Sequence, residues 1–286
     1  MRLRHPGEIL NKRLLGWLSW TLRRRHEHRS AVLDALAADV ATLAPDHVVV
    51  TGDLTNLGLE DEFHAAAAWL RRLGGPERVS LVPGNHDVYV NTDHARTWAP
   101  WAPFLHSRPA APGEPSGADP VRFPTVRRCG ALAFVCASSA RATPPLLATG
   151  RLGHAQRNRL EAALRQLGEE GAWRVLLLHH PPVPGESARR SLTDAKALRE
   201  VLARSGAELV LHGHSHGSRF ATVPGPKGPI PVIGVPSASA LGRRGPRHRA
   251  GYHVYRVTPA GSAVCEVRRL REDGRGFERE SERPLV

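Results

Sequence analysis

The chain has 286 residues, 41% of them hydrophobic, which is enough to bury one sizeable core. No stretch approaches about eighteen uninterrupted apolar residues, so a membrane-spanning helix is not expected. The three cysteines, Cys129, Cys136 and Cys265, are odd in number and form no Cys-x-x-Cys pair. This pattern argues against a disulfide framework or a thiolate zinc site and favours a reducing cytoplasm.

The formal net charge is +13, and most of the excess comes from arginine. A field of this sign attracts anions, which leaves nucleic acid, an anionic membrane surface and phosphorylated substrates open as partners. The charge is spread along the chain without interleaved aromatic residues, so it marks no nucleic-acid platform. The arginine usage of a GC-rich genome would give the same excess.

The first strongly apolar segment covers residues 14–22, and three arginines follow it. No small-residue cleavage site comes after it, which disfavours a secretory signal. We expect a helix that buries Trp17 and Trp20; the alternative is an amphipathic segment that lies on an anionic membrane. The predicted location is the cytoplasm, with peripheral attachment to the membrane as the alternative.

The pattern along the rest of the chain alternates between strands and helices. Apolar residues at helical spacing predict helices at residues 31–44, 60–73, 154–167 (closed by Gly168) and 194–204. β-Branched or apolar runs predict strands at residues 47–51, 79–82, 131–137, 174–178, 208–211, 219–223, 230–235, 252–257 and 262–267. This alternation is typical of α/β architecture.

The remaining segments show no internal repeat and no clear domain boundary. Residues 107–124 are rich in Pro, Gly and Ala and predict a long surface loop or lid. We expect one domain spanning residues 1–286, with an α/β core at 31–216, a C-terminal β portion at 217–267 and a charged tail at 268–286. The tail is predicted to be solvated or frayed.

Four short polar motifs each follow a predicted strand. The carboxyl ends of buried strands are where α/β sheets build their sites, and glycines let the backbone turn sharply there. The motifs are Thr51-Gly52-Asp53, Pro83-Gly84-Asn85-His86-Asp87, His179-His180-Pro181-Pro182 and His212-Gly213-His214-Ser215-His216. Each motif alone is compatible with a turn, a helix cap or a buried histidine, but the four in this order point to one site.

The residue types in these motifs indicate a metal site. One Asp, one Asn and several His offer mixed oxygen and nitrogen ligands, which suit Mn, Fe, Co, Ni or Zn better than calcium or a thiolate-seeking ion. Two such ions about 3.5–4 Å apart, bridged by a carboxylate, would activate water and hold a phosphoryl oxygen.

The run of motifs resembles the calcineurin-like metallophosphoesterase superfamily, and most of all its bacterial branch of small phosphodiesterases. The family pattern is Asp-x-His, Gly-Asp, Gly-Asn-His-Asp/Glu, His and Gly-His-x-His. Its last four blocks are present between Gly52 and His216. The resemblance implies a double β-sandwich flanked by helices, in four layers ordered helix, sheet, sheet, helix.

The resemblance also implies a role for each matching residue. Asp53 would bridge two divalent metal ions, Asn85, His179 and His214 would complete the second site, and His216 would reach the first. His86 would serve as general acid or phosphate contact, with Asp87 orienting and polarising it. The supporting residues would be His180 beside the metal ligands and Gly52, Gly84 and Gly213 in the turns.

The first family block has no match in this sequence. No Asp precedes Asp34, which lies inside a predicted helix, and Leu3 stands two positions before His5. The first metal would keep only Asp53 and His216, which are too few for a firm site, so one ion rather than two is an open alternative. A core strand would also be missing and would leave an open sheet edge or a gap. Two explanations stay open: a start site placed too late, or a shortened protein that is mononuclear or inactive.

Three functions follow as hypotheses. The first is metal-dependent hydrolysis of a phosphoester by metal-activated water, with a phosphodiester favoured by resemblance. The second is a catalytically impaired module that binds a metal and a phosphorylated ligand. The third is a phosphoesterase directed at nucleic acid, whose affinity would fall steeply with salt.

Overall fold

A computed structural model describes residues 11–107, 121–243 and 245–285. The helices are α1 Arg13–Ser19, α2 Arg25–Glu27, α3 Ser30–Leu43, α4 Glu60–Leu73, α5 His94–Thr97, α6 Ala102–Leu105, α7 His154–Glu169 and α8 Ala195–Ser205. A π-helical turn at Trp20–Arg24 joins α1 to α2, and 3₁₀ turns lie at Ala99–Trp101 and Pro246–His248. None of the described helices is long and apolar enough to cross a membrane.

Eleven strands are present in the described ranges. They are β1 Val48–Val50, β2 Val79–Leu81, β3 Thr125–Cys129, β4 Leu132–Cys136, β5 Trp173–Leu178, β6 Leu209–His212, β7 Arg219–Val223, β8 Ile230–Gly234, β9 Gly251–Val257, β10 Ala263–Leu270 and β11 Phe277–Pro284. They form a six-stranded sheet in the order β3-β4-β5-β6-β8-β7, a three-stranded sheet in the order β11-β10-β9, and the parallel pair β1-β2.

The six-stranded sheet is parallel from β4 through β5 and β6 to β8, with β3 and β7 antiparallel at its edges. Its two faces alternate along each strand. On one face Leu176 and Leu178 pack against α7 and α8 through Leu160 and Leu198. The sheet is therefore covered by helices on this side.

The opposite face of the same sheet packs against the other two sheets. Val175 and Leu177 contact a cluster that includes Val82, just after β2, and Tyr255 of β9. The far side of the small sheets is covered in turn, by α3 at Phe277 and by α4 at Leu81. The result is the expected four-layer arrangement of helices, two stacked sheet layers and helices.

β1 pairs with β2 along one edge, Val49 opposite Ser80, and no other described strand pairs with it. The three residues of β1 are only partly buried, whereas those of β2 are fully buried. Within the described ranges, β1 therefore has one edge that pairs with no strand.

Several expectations about individual segments were wrong. The segment after residue 268 is not frayed: β10 runs to Leu270, and β11 pairs with it antiparallel. Cross-strand ion pairs such as Arg269 with Glu280, at 2.8 Å, let a strongly charged sequence form an edge strand. Gly168 lies inside α7 rather than closing it, and β3 was not predicted.

The N-terminal helical segment also differs from expectation. Trp17 and Trp20 are only partly buried, and α1 has no fully buried residue. Four leucines of the segment are exposed: Leu14, Leu15, Leu18 and Leu22. Contact with an anionic membrane stays a prediction. Most of the predicted loop at 107–124 falls outside the described residues, from 108 to 120.

Candidate metal centre

The site lies at the carboxyl ends of β1, β2, β5 and β6, where all four sequence motifs converge. Asp53 follows β1 and sits opposite the loop after β2. Its Oδ1 accepts the backbone N–H of His86 at 2.8 Å. A Cβ on Gly84 would clash with the Asp53 carboxylate, so only glycine lets the two loops approach this closely.

Four side-chain atoms from the four motifs point at a common centre. His179 Nε2 lies 3.3 Å from Asp53 Oδ2 and 3.2 Å from Asn85 Oδ1. His214 Nδ1 lies 3.1 Å from Asn85 Oδ1 and 3.3 Å from His179 Nε2. We call these four atoms the ligand cluster.

The spacing of the ligand cluster matches that of a coordination shell. Atoms about 2.1 Å from one ion lie about 3.0 Å apart at right angles and about 3.4 Å apart in a tetrahedron. The four measured separations, 3.1–3.3 Å, fall between these limits. The separations among Asn85, His179 and His214 therefore fit one divalent ion, and Asp53 adjoins this set through the 3.3 Å contact of its Oδ2 with His179 Nε2.

The hydrogen-bond chemistry of the cluster also fits a cation. His179 Nδ1 faces the Thr51 carbonyl at 2.6 Å, so this nitrogen carries the ring proton and donates it. Nε2 then presents a lone pair toward Asp53 Oδ2 and Asn85 Oδ1, which are also acceptors. Acceptors that face one another in a buried site need a positive charge between them.

Without a metal ion, a proton on His179 meets part of this need. Burial alone would lower the pKa of His179, but the Asp53 carboxylate raises it above its ordinary value. Burial would in turn raise the pKa of Asp53, yet His179 and His86 hold it well below the ordinary value. The cluster is built to keep the carboxylate ionised.

His180 supports the cluster from behind. Its Nε2 lies 3.2 Å from the Ala148 carbonyl and its Nδ1 lies 2.8 Å from Ser139 Oγ. Although its ring lies close enough to His179 and His214 to join a histidine triplet, both nitrogens are engaged. It is therefore placed to orient its neighbours rather than to bind an ion.

The backbone is strained at the histidine and aspartate ligands. Asp53, His214 and His216 have positive φ angles of 59°, 64° and 56°, and only two other described non-glycine residues do. Such conformations cost of order 1–3 kcal/mol each and gather at functional sites. His214 is also held by Arg190, which donates to its carbonyl at 2.9 Å, while its buried Nε2 has no partner among the described residues.

His216 lies beside the cluster on the Asp53 side. Burial lowers the pKa of His216 to about 4, the Asp53 charge opposes this, and the Arg24 charge adds to it. In the described residues, Asp53 and His216 are the side chains left for the first metal of the family pattern. The role of His216 as a ligand stays a prediction.

Asp87 does not make the contact that we expected. Its Oδ2 accepts the N–H groups of Asp53 and Gly84, each at 2.8 Å, and its Oδ1 accepts the Thr55 N–H at 2.9 Å and hydroxyl at 3.0 Å. The carboxylate thus joins the loops after β1 and β2 instead of orienting the His86 ring. Burial and the Asp53 charge raise the pKa of Asp87 to about 7, against the effect of these hydrogen bonds.

The His86 ring is oriented by different partners. Its Nδ1 lies 2.7 Å from the Asn56 carbonyl, which fixes the proton on Nδ1, and its Nε2 accepts from Arg24 Nη1 at 3.2 Å. The Tyr89 ring stacks on it with centroids 5.4 Å apart. Burial lowers the pKa of His86 to about 4, with Arg24 adding to the shift against Asp53. In this arrangement His86 is neutral.

Sequence reasoning missed Arg24 and Asn56. Asn56 stands three residues after Asp53 in a polar turn, and this position was the available signal. Arg24 is the middle one of three arginines that look equivalent in the sequence. Only the rotation of the helical segment about its axis, which sets the direction of each side chain, distinguishes Arg24 from the other two.

The fold and the cluster together define an α/β protein with a divalent-metal centre at its strand ends. Residues 25–218 match the sequence profile described as calcineurin-like phosphoesterase. The chain belongs to this family, which confirms the resemblance seen in the motifs. The family implies divalent metal ions at the site.

Three individual proteins with a similar sequence or fold share 15–30% sequence identity with this chain. The chain is 26% identical over 237 residues to a probable cyclic nucleotide phosphodiesterase of Synechococcus sp., covering 82% of this chain and 80% of that protein. It is 30% identical over 141 residues to a glycerophosphodiester phosphodiesterase of Enterobacter lignolyticus, covering 49% of this chain and 43% of that one. A solved dimetal phosphatase of Danio rerio has a similar fold, with a TM-score of 0.58 at 15% identity over 86% of this chain and 88% of its own.

Proposed function

We propose that this protein is a metal-dependent phosphodiesterase that hydrolyses a phosphodiester with one divalent transition-metal ion held by the ligand cluster. The observation that carries the proposal is the set of four ligand atoms from four separate strand ends, joined by four contacts of 3.1–3.3 Å. The family assignment supports phosphoester hydrolysis, and both curated relatives are named phosphodiesterases.

A divalent ion bound there lowers the pKa of water and offsets charge on the phosphoryl oxygens. The chain's own residues supply the rest. Thr51 keeps the lone pair of His179 Nε2 aimed into the cluster, and Asp87 keeps the Asp53 and Asn85 loops in register. His86 stands beside Asp53 with its ring fixed by Asn56, where it can contact a phosphoryl oxygen or the leaving oxygen.

The surroundings of His86 leave room for an alcohol group of the substrate. A cavity of about 590 Å³ opens next to Tyr89, the ring that stacks on His86, and it is lined also by Lys12, Asn91 and Thr143. A cavity of this size gives room for the alcohol on the far side of the phosphorus. The single alcohol of a monoester fits the same cavity, so the preference for a diester rests on the two relatives that are named phosphodiesterases.

The test is Mn²⁺-stimulated hydrolysis of bis(p-nitrophenyl) phosphate, compared with p-nitrophenyl phosphate, by the wild type and two variants. Asn85→Ala and His179→Ala each remove a cluster ligand and should reduce turnover at least about 100-fold. His64→Ala removes an exposed histidine on α4 and is the matched control, with activity expected to be unchanged.

The outcomes separate the hypotheses. Hydrolysis of the diester that both cluster variants abolish supports the proposal. Hydrolysis confined to the monoester refutes the diester preference. Tight Mn²⁺ and phosphate binding without hydrolysis of either ester would show a binding module and refute the enzymatic proposal.

A further inference from the structure

The middle residue of an arginine run lies inside the site while its neighbours face solvent. Arg24 Nη1 donates to Asn56 Oδ1 at 2.8 Å and lies 3.2 Å from His86 Nε2. Arg23 and Arg25 are exposed. Of the three arginines in this N-terminal helical segment, Arg24 is thus the one that contacts His86, the neighbour of the cluster residue Asn85.

The backbone around Arg24 is anchored at both ends. On one side, Arg13 of α1 donates to the carbonyls of Leu57 at 2.9 Å and Gly58 at 2.6 Å, in the loop that follows Asp53. On the other, the Glu27 carboxylate accepts the N–H groups of Gly242 at 2.9 Å and Arg243 at 3.2 Å. The segment is therefore attached both to the loop after Asp53 and to residues 242–243.

The turn that contains Arg24 is π-helical. An extra residue in a helical turn rotates the side chains that follow it, and such turns are found mostly at functional sites. Here the turn ends at Arg24 itself. The local backbone thus accounts for Arg24, rather than Arg23 or Arg25, pointing inward.

The charge of Arg24 acts on both histidines that flank the open side of the cluster. Its Nη1 lies 3.2 Å from His86 Nε2, and its charge lowers the pKa of His86 and of His216. A phosphoryl group bound to the cluster must occupy the same side. A planar guanidinium matches the oxygens of a phosphate, and its hydrogen bonds to an anionic oxygen are stronger than the one it makes to the neutral ring of His86.

We propose that Arg24 binds the substrate directly, by exchanging its hydrogen bond with His86 for one to a non-bridging oxygen of the phosphoryl group. Arg24 then supplies a fixed positive charge beside the ligand cluster, next to His86. This inference rests on the proposed function for the identity of the substrate, but not for the phosphate contact itself.

The test compares Arg24→Ala and Arg24→Lys with Arg23→Ala and Arg25→Ala, which remove the same charge from exposed positions. Two quantities are measured in Mn²⁺-loaded protein: the affinity for inorganic phosphate by calorimetry, and kcat and KM for bis(p-nitrophenyl) phosphate. Arg24→Ala should weaken phosphate binding at least about 10-fold and lower kcat/KM about 100-fold, the loss typical of removing one donor to a reacting oxygen. Arg24→Lys should recover part of both, and about 50 mM guanidinium should partly rescue Arg24→Ala, because both restore a cation.

A merely structural role for Arg24 would give a different result. Arg24→Ala would then keep phosphate affinity within about 3-fold, or would lose it without recovery by lysine or guanidinium, and either result overturns the inference. Equal losses in Arg25→Ala would indicate general charge attraction and also overturn it. If the wild type binds phosphate but hydrolyses no ester, the proposed function fails while the phosphate titration still decides the role of Arg24. A wild type that binds no phosphate overturns the inference about Arg24, while the hydrolysis assay still decides the proposed function.

Discussion

Asp87 offers a quantitative test of how the site is held together. Its two oxygens accept four hydrogen bonds, from the backbone of Gly84 and Asp53 on one side and from Thr55 on the other. The side chain is 2% exposed, so water cannot replace these partners. The informative change is Asp87→Asn, which keeps the shape but exchanges one acceptor for a donor.

The least costly orientation of the new amide side chain keeps its oxygen toward Gly84 and Asp53 and turns its NH₂ group toward Thr55. The Thr55 hydroxyl can accept from that NH₂ group, but the Thr55 N–H then faces a donor. A buried donor left without an acceptor costs about 1–3 kcal/mol. Relief from burying the carboxylate charge offsets part of this, so we expect a net loss of about 1–2 kcal/mol, or roughly 2–8 °C in Tm for a domain of this size.

The assay is urea unfolding of metal-free protein at pH 8, together with the pH profile of kcat for the metal-loaded enzyme. Asp46→Asn, at an exposed position, is the matched control and should leave stability unchanged. The result that refutes this reasoning is an Asp87→Asn protein as stable as the wild type whose kcat profile loses a titrating limb. Such a protein would show that Asp87 acts through His86 in catalysis rather than by joining the two loops.

Two further predictions concern packing and pH. Gly84→Ala should abolish Mn²⁺ binding because its methyl group would push against the Asp53 carboxylate. Gly217→Ala is the control and should bind Mn²⁺ normally, because a Cβ there meets no atom within 4 Å. Equal Mn²⁺ affinities of the two variants in calorimetry would contradict this prediction. Burial and the charges of nearby arginines lower the pKa of His47 from 6.5 to about 4. Between these pH values the unfolded chain binds a proton at His47 that the folded chain does not bind. The free energy of unfolding should therefore fall as the pH drops from about 6.5 to about 4. In urea unfolding at pH 7, 6 and 5, the stability of His47→Gln should fall less steeply than that of the wild type. Parallel pH dependences of the two proteins would show that His47 does not contribute.

The fold and the ligand set were largely readable from the sequence because both depend on contiguous patterns. The β-branched run before Asp53 predicts a buried strand, and β1 and α4 lie within a residue or so of their predicted positions. The cluster ligands lie one to four residues beyond strand ends, where the direction of the chain is already fixed. Parallel strands then bring these ends together at one edge of the sheet.

The features that were missed depend on tertiary contacts between distant segments. The charged residues of β11 look like a solvated tail because the partners of Glu280 and its neighbours lie on β10. The inward turn of Arg24 depends on a π-helical backbone and on anchors at Leu57 and Gly242, far away along the chain. Asp87 directly follows His86 in the sequence, which suggested that its carboxylate orients the His86 ring. Only the folded loops show that this carboxylate accepts backbone N–H groups instead.

The central claim is that one divalent ion is held by four particular atoms, and anomalous diffraction tests it most directly. Crystals grown with Zn²⁺ or Mn²⁺ would be measured above and below the absorption edge of the metal. We predict an anomalous peak about 2.0–2.3 Å from Asp53 Oδ2, Asn85 Oδ1, His179 Nε2 and His214 Nδ1. A peak on His180 instead, or no peak in protein that retains phosphodiesterase activity, would contradict the account.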